Sequence, residues 1–480
     1  MTKVDKKETI YGIIGIILMF SGWFIPPVEP ITEVGMQLLG IFAGLVWLWT
    51  FNGMLWPSLL GIVAMMFSDY GNFTTILAAS FGNFTVWSAV FMMAVFGVIE
   101  QYGLNDYIVR WILTRKIING RPWVFTFVWF FTVWVMSVIC SPFPMIFMFW
   151  GLTYKLSEDL GYKKGDSYIM MLLFGIIMAA ALSSAILPFK SWILQINGIW
   201  TSMSGASAFT YGQHLTLVIP IALCTIIGYV FLMRFVFKAD VKPLANINAE
   251  MFNQKPLPKM DTIQKFLLWY IPIIILVLFA PSVLPKTWKI TELLSSAGVA
   301  GLSMLFFVVL CLIRKDGKSI VDLRFIAGQK IAWDLAFLLA CVMAISSALT
   351  NDATGVKPFL AGILNPIFNG MSPFVMFAVM LAVCLVLTNF ANNGVIALLL
   401  LSIVYITTAS MNIPNIGYFV SMLAFASQIA FFIPGSSLYG AMIHGNDWVS
   451  AGFVYKTTIC VVILVFLIFL AFWPVSLMLY

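Results

Sequence analysis

The chain has 480 residues, of which 62% are hydrophobic and only 9% charged, and its mean hydropathy is +1.01. That charge is too sparse to coat a soluble surface of this size, so the sequence is built for lipid, where a spanning helix takes roughly 20 mostly apolar residues. The net charge of +7 does not point to nucleic acid, because the basic residues follow a membrane pattern.

In chain order, a basic start (residues 1–9) leads into an apolar run from Tyr11 to Ile25. No small-residue cleavage site follows it, since Trp23-Phe24-Ile25-Pro26 is a poor substitute, so it reads as a retained first helix. Spans are expected near 10–25, 34–50, 53–68 and 86–102. The stretch Asn105–Gly120 then sets Tyr107, Ile108, Trp111 and Ile112 against Arg110, Arg115 and Lys116, the pattern of a helix lying along anionic headgroups. The apolar block 123–156 has Ser141-Pro142-Phe143 at its centre and reads as a re-entrant helical hairpin. Spans follow near 168–200 (broken) and 213–237, then, past a polar linker at 238–264, near 265–283, 294–313 and 333–350. A second amphipathic stretch, Asn351–Gly370, precedes a second hairpin at 372–409 centred on Thr388-Asn389-Phe390. Spans near 415–444 (broken) and 455–478 complete the chain. Non-helical backbone at such depth is tolerated only inside protein or beside water. The expected fold is an all-α polytopic membrane protein with about 11 transmembrane helices plus two re-entrant hairpins.

With both hairpins re-entrant and the N-terminus inside, the segments 1–9, 103–121, 155–167, 234–265, 314–332 and 445–456 share one side. They carry 22 of the 26 Lys and Arg residues; Lys190, Lys286, Lys289 and Lys357 are the remainder. Positive charge stays on the cytoplasmic side, which predicts a plasma-membrane protein with a cytoplasmic N-terminus and an extracellular C-terminus. The six cysteines stand singly in apolar runs, where thiols act as small hydrophobes, so no disulfide is expected.

The chain also repeats itself. Trp87 and Trp333, Asn105-Asp106 and Asn351-Asp352, and Pro188 with Ser191 against Pro434 with Ser437 all stand 246 residues apart; the two hairpin centres stand 247 apart. One copy starts outside and the other inside, which makes an inverted repeat, an arrangement that secondary transporters use around a midplane site. The expected division is an N-terminal helix (1–33), a first repeat (34–237), the linker (238–264) and a second repeat (265–480).

A hairpin tip at mid-membrane exposes helix ends. Amide ends favour an anion and carbonyl ends a cation. Thr388, Asn389, Asn392 and Asn393 cluster at such a tip, either as ligands or as caps of two helix ends. Against an enzyme, there is no His/Asp/Glu cluster with metal spacing, and the Ser137/Ser141 pair has no base in reach.

At SFGNFTVWSAVFMMAVFGVIEQYGL (80–104), VLTNFANNGVIALLLLSI (386–403) and FASQIAFFIPGSSLYGAMIHGND (425–447), the chain resembles the divalent anion:sodium symporters, the carriers of dicarboxylates and citrate. The resemblance spans most of 34–480. It implies a homodimer with a static scaffold and a transport domain moving as an elevator, a small anionic substrate, and sodium as the bound ion, with no other cofactor. It departs at the tips, where the family's Ser-Asn-Thr becomes Ser141-Pro142-Phe143 and Thr388-Asn389-Phe390. The family's Pro-Pro-Asn turns become Phe189-Lys190-Ser191-Trp192 and Ser436-Ser437-Leu438-Tyr439. The matching substrate positions are Ser141, Pro142, Lys190, Ser191, Thr388, Asn389, Phe390 and Ser437. The matching cation positions are Ser137, Ser141 and Lys190 for one ion, and Cys384, Thr388, Asn389, Ser436 and Ser437 for the other.

Lys190 is the sharpest of these. A lone ammonium at bilayer depth costs roughly 2.5–3.5 kcal/mol even on the lenient scale. Either it stands in for the first sodium and meets the anion, or it snorkels to an interface and only orients the chain. Cys384 replaces a hydroxyl and is a poor ligand for a hard cation. His444 is the one imidazole expected near the core, and reads as a loop residue before a proton carrier. The expected function is secondary active transport of a di- or tricarboxylate with cation coupling. The alternatives are a proton-coupled or uncoupled carrier of another anion, and a non-transporting sensor or scaffold.

Overall fold

The structure, a computed structural model, describes residues 6–104, 108–109, 114, 119–139, 141–189, 191–246, 259–368, 370–410 and 413–480. Lys190, Cys140 and most of the first amphipathic stretch lie outside the described residues.

Helices dominate, because in lipid a backbone must satisfy its own polar groups; one short antiparallel ribbon pairs Arg314–Lys315 with Lys318–Ser319. Side chains set the helix starts. Thr210 and Gln213 form a capping box at the head of Tyr211–Phe231, and Asp261 and Gln264 form another at the head of Thr262–Val283, each supplying partners to otherwise unpaired amides. Lys6–Ser21 and Glu33–Phe51 meet along glycines. A Cβ added at Gly22 would lie 2.1 Å from the Met36 carbonyl oxygen, and one at Gly44 would lie 2.5 Å from the Met19 Cα. Only small residues let backbones come so close.

Among the described residues, seven helices are long and apolar enough to cross a membrane, or eight if Leu323–Gln329 and Trp333–Leu349, bent by 68° where they join, make one span. One of the seven, Pro122–Ile139, is a hairpin arm. The expected set of about 11 therefore includes pieces too short to cross alone: Leu55–Phe67 has 13 residues, and each broken span is divided in two.

The connecting segments sort into two sets. The Tyr162 hydroxyl donates to the Asp240 carbonyl, Lys164 pairs with Asp447 at 3.2 Å, and Lys315 pairs with Asp261 at 2.8 Å. Gln264 donates to the Tyr102 carbonyl, and the Tyr102 hydroxyl to the Ile320 carbonyl. These contacts join four of the six basic segments that the charge distribution had put on one side, 155–167, 234–265, 314–332 and 445–456, with Tyr102 at the edge of a fifth. The other set is joined by Thr32 to the Thr354 carbonyl, by Gln213 to the Leu479 carbonyl and by Asn415 to Ser476.

Both hairpins return to the set they left. Pro122–Ile139 begins beside Arg234, whose guanidinium lies 5.8 Å from the Trp123 ring. After Pro142–Leu160, the chain reaches Tyr162, bound to Asp240. Pro373–Leu387 begins with Phe374 against Trp473, and its partner arm Asn393–Ser410 carries Tyr405 past Trp200 and Lys357. The hairpins thus open to opposite sets, as an inverted repeat requires. A side-chain staple marks the same duplication. The Trp87 indole donates to the Phe81 carbonyl at 2.7 Å, and the Trp333 indole to the Ala327 carbonyl at 2.8 Å; donors and acceptors alike stand 246 residues apart.

Candidate functional site

Two helix breaks face each other at the centre. Ser167–Ser183 and Ser191–Ser204 flank the first, and Ile416–Ala426 and Leu438–His444 flank the second. Both breaks contain a proline, Pro188 and Pro434, which has no amide to continue a helix. Each upstream half tightens before it ends, with Ile186 N–H on the Ser183 carbonyl and Ile429 N–H on the Ala426 carbonyl.

The halves are then laced across the repeats. The Trp192 indole, in the first turn of the downstream half of the first broken helix, donates to Ser427 Oγ at 2.9 Å. Ser427 ends the upstream half of the second. In return, the Tyr439 hydroxyl lies 3.1 Å from Ser184 Oγ, and Ser184 ends the upstream half of the first. The hairpins join the same lacing. Phe143 stacks on Tyr439 at 5.4 Å, and Trp192 lies over Gly394, within 3.6 Å of where a Cβ would stand. Sequence reading missed Trp192 and Tyr439, although they stand 247 residues apart.

The second hairpin tip is anchored through Asn389. Its Oδ1 accepts the N–H groups of Phe431 and Phe432, both at 3.0 Å, and its Nδ2 donates to the carbonyls of Leu385 and Ile429 at 2.8 and 2.7 Å. All of its hydrogen-bonding capacity is spent on backbone. Thr388 donates to the Ser427 carbonyl at 3.0 Å. Ser436 and Ser437 both donate to the Ala430 carbonyl, and Ser437 also caps Leu438–His444 by accepting from Gly440. With their hydrogens committed, the buried hydroxyls of Thr388 and Ser436 have only lone pairs left to offer, which suits a cation better than an anion. Cys384 is fully buried one turn before Thr388. Phe390 is exposed and packs on Phe432. Asn392 caps its arm by accepting from Gly394 and Val395.

At the first tip, Ser141 precedes Pro142 at the head of the returning arm, and its side chain caps nothing. Ser137 is 2% exposed, and its hydroxyl has no hydrogen-bond partner among the described residues. A buried hydroxyl with its hydrogen uncommitted is a donor in wait. Val138 and Ile139 border the apolar cluster that also contains Leu187 and Phe189 of the first break. Lys190 and the Ser191 side chain lie outside the described residues.

Both histidines reach the breaks, which corrects the expectation of one. The His444 Nε2 lies 3.2 and 3.0 Å from the carbonyls of Phe431 and Phe432, so it is no loop residue. The fully buried His214 places Nε2 2.9 Å from the Ala185 carbonyl and Nδ1 2.8 Å from Ser421 Oγ. Hydropathy patterning gives no signal for the latter, which begins an apolar helix 29 residues downstream. Among the described residues no group of three His, Cys, Asp or Glu could hold a metal ion.

A family model described as citrate transporter matches residues 44–427. Among solved structures, the YdaH transporter of Alcanivorax borkumensis superposes with a TM-score of 0.59 at 12% identity, covering 98% of each chain. MtrF of Neisseria gonorrhoeae, described within a class of antimetabolite efflux pumps, superposes with a TM-score of 0.56 at 12% identity, covering 98% of this chain and 96% of its own. At that identity the likeness concerns the fold. Comparison with curated proteins gives no match.

Proposed function

The chain belongs to the citrate transporter family, and from that premise we propose that it carries citrate or a related di- or tricarboxylate across the plasma membrane by secondary active transport. The observation that carries this reading is the meeting of two oppositely entering hairpin tips with two helix breaks, laced by Trp192–Ser427 and Tyr439–Ser184. Freed backbone groups at such breaks form binding sites at midplane depth.

The two tips divide the work. The first takes the carboxylates, with Ser137 as an uncommitted donor and Ser141, Pro142, Lys190 and Ser191 as the other residues assigned to the substrate. The second, with Cys384, Thr388, Asn389, Phe390, Ser436 and Ser437, takes a cation on the lone pairs of Thr388 and Ser436. The Lys190 ammonium replaces a first cation. The basic segments face the cytoplasm, following the positive-inside rule. Two copies form a dimer whose hairpins and broken helices move as one body against the remaining helices.

Uptake of radiolabelled citrate into proteoliposomes, under imposed sodium or proton gradients, tests this. Saturable flux driven by sodium is expected, and Lys190→Gly is expected to slow it and alter its sodium dependence. Flux driven by a proton gradient alone would make this a proton-coupled carrier. No saturable flux of any di- or tricarboxylate would leave a carrier of another anion, or a sensor or scaffold.

A further inference from the structure

When a helix breaks inside a membrane, carbonyls that once had intrahelical partners need a new donor, and water is scarce. In this chain each break draws one such donor from a histidine, at the second break beside Thr388, Asn389, Ser436 and Ser437. A carbonyl oxygen only accepts, so the His214 nitrogen 2.9 Å from the Ala185 carbonyl carries the hydrogen, and its Nδ1 is left to pair with Ser421 Oγ. Ser421 belongs to the upstream half of the other broken helix, so one ring ties the first break to the second repeat. His444 likewise directs Nε2–H between the carbonyls of Phe431 and Phe432. The N–H groups of those two residues are already held by Asn389. That piece of unwound backbone is therefore gripped from both edges, by a hairpin tip and by an imidazole. The two histidines stand 230 residues apart, not 246, so the internal duplication does not relate them and each break has its own donor.

We propose that His214 and His444 are positioning residues that hold the two unwound segments in the shape that binds substrate, each through a single Nε2–H donated to backbone. The consequence for binding rests on the transporter reading; the consequence for the backbone does not. Each histidine is replaced by Phe, which keeps a ring and loses the donor, and by Gln, which keeps a donor at similar reach. In lipid nanodiscs, hydrogen–deuterium exchange is followed at 184–193 for the His214 variants and at 427–437 for the His444 variants. The scaffold peptide 289–312 serves as reference. The Phe variants are expected to exchange about tenfold faster at their own break, and the Gln variants close to wild type. In proteoliposomes the half-saturating citrate concentration is expected to rise about fivefold in the Phe variants and to recover with Gln, while the maximal rate moves less.

Wild-type exchange in the Phe variants overturns the proposal. So does exchange in the Gln variants as fast as in the Phe variants, which would assign the effect to ring packing. If a Phe variant does not fold, the Gln variant decides: raised exchange there overturns the proposal. Failure of the wild type to move citrate sinks the carrier reading and leaves the exchange result to judge the clamps.

Discussion

Tyr439 and Ser184, 255 residues apart, touch through their hydroxyls at 3.1 Å, and Trp192 and Ser427 repeat the contact from the opposite direction at 2.9 Å. Each links the start of one repeat's downstream half-helix to the end of the other's upstream half. Double-mutant cycles should register both. Tyr439→Phe with Ser184→Ala, and Trp192→Phe with Ser427→Ala, are each expected to show a coupling of about 0.5–1.5 kcal/mol in thermal denaturation. Strictly additive losses would mean that the contacts do not join the halves.

Asn389 makes four bonds to backbone, three of them to the second break. Asn389→Ala leaves several buried groups unpaired at about 1–3 kcal/mol each. A loss above about 3 kcal/mol is expected, with uptake abolished. Asn389→Asp should fare no better, because it offers oxygen where Leu385 and Ile429 present oxygen. Either variant melting with the wild type would refute the anchoring role.

Glu100 and Lys330 pair at 3.0 Å with side chains 13% and 21% exposed, joining helix Phe84–Gln101 to the bend before Trp333. Glu100→Gln is expected to cost about 1–2 kcal/mol, between the values for surface and fully buried pairs. Gly97 makes room for this pair, since a Cβ there would lie 2.6 Å from Lys330 Cβ. Gly97→Val should therefore destabilise as well, and combining the two changes should be less than additive. Melting curves of the three variants measure both effects.

The hydrogen bond from Lys315 and the amide of Gln264 hold the Asp261 carboxyl below its ordinary value of 3.8. A carboxyl lowered in the folded state stabilises above its unfolded value, and that contribution is lost as pH falls through the folded one. The small melting-temperature gap between wild type and Asp261→Asn should stay constant from neutral pH down to about pH 5 and close below about pH 4. A gap that widens on acidification would contradict the sign.

Much of this architecture was legible because it is written locally. Polar centres in long apolar runs announce hairpins, and a constant spacing announces a repeat. The charge distribution grouped segments that Tyr162, Lys164 and Lys315 do join. The partners of the site residues were not legible. Asn389 reads from sequence as a ligand or a helix cap, yet three of its partners are carbonyls and amides of ordinary apolar residues some 40 positions on, and backbone groups carry no sequence signal. His214 was missed for the same reason, since its target is the carbonyl of an alanine.

The bare-backbone joint between Lys6–Ser21 and Glu33–Phe51 has a consequence for assembly. A helix with glycines at 40 and 44, both against Met19 or Gly22, presents lipid with a trough too shallow for acyl chains to fill well once the first helix is gone, and its natural filling is that helix. Deleting residues 6–21 should thus do more than remove an anchor. It should leave a slot that the matching helix of a neighbouring molecule can enter, and the truncated protein should trade correct insertion for entanglement between copies.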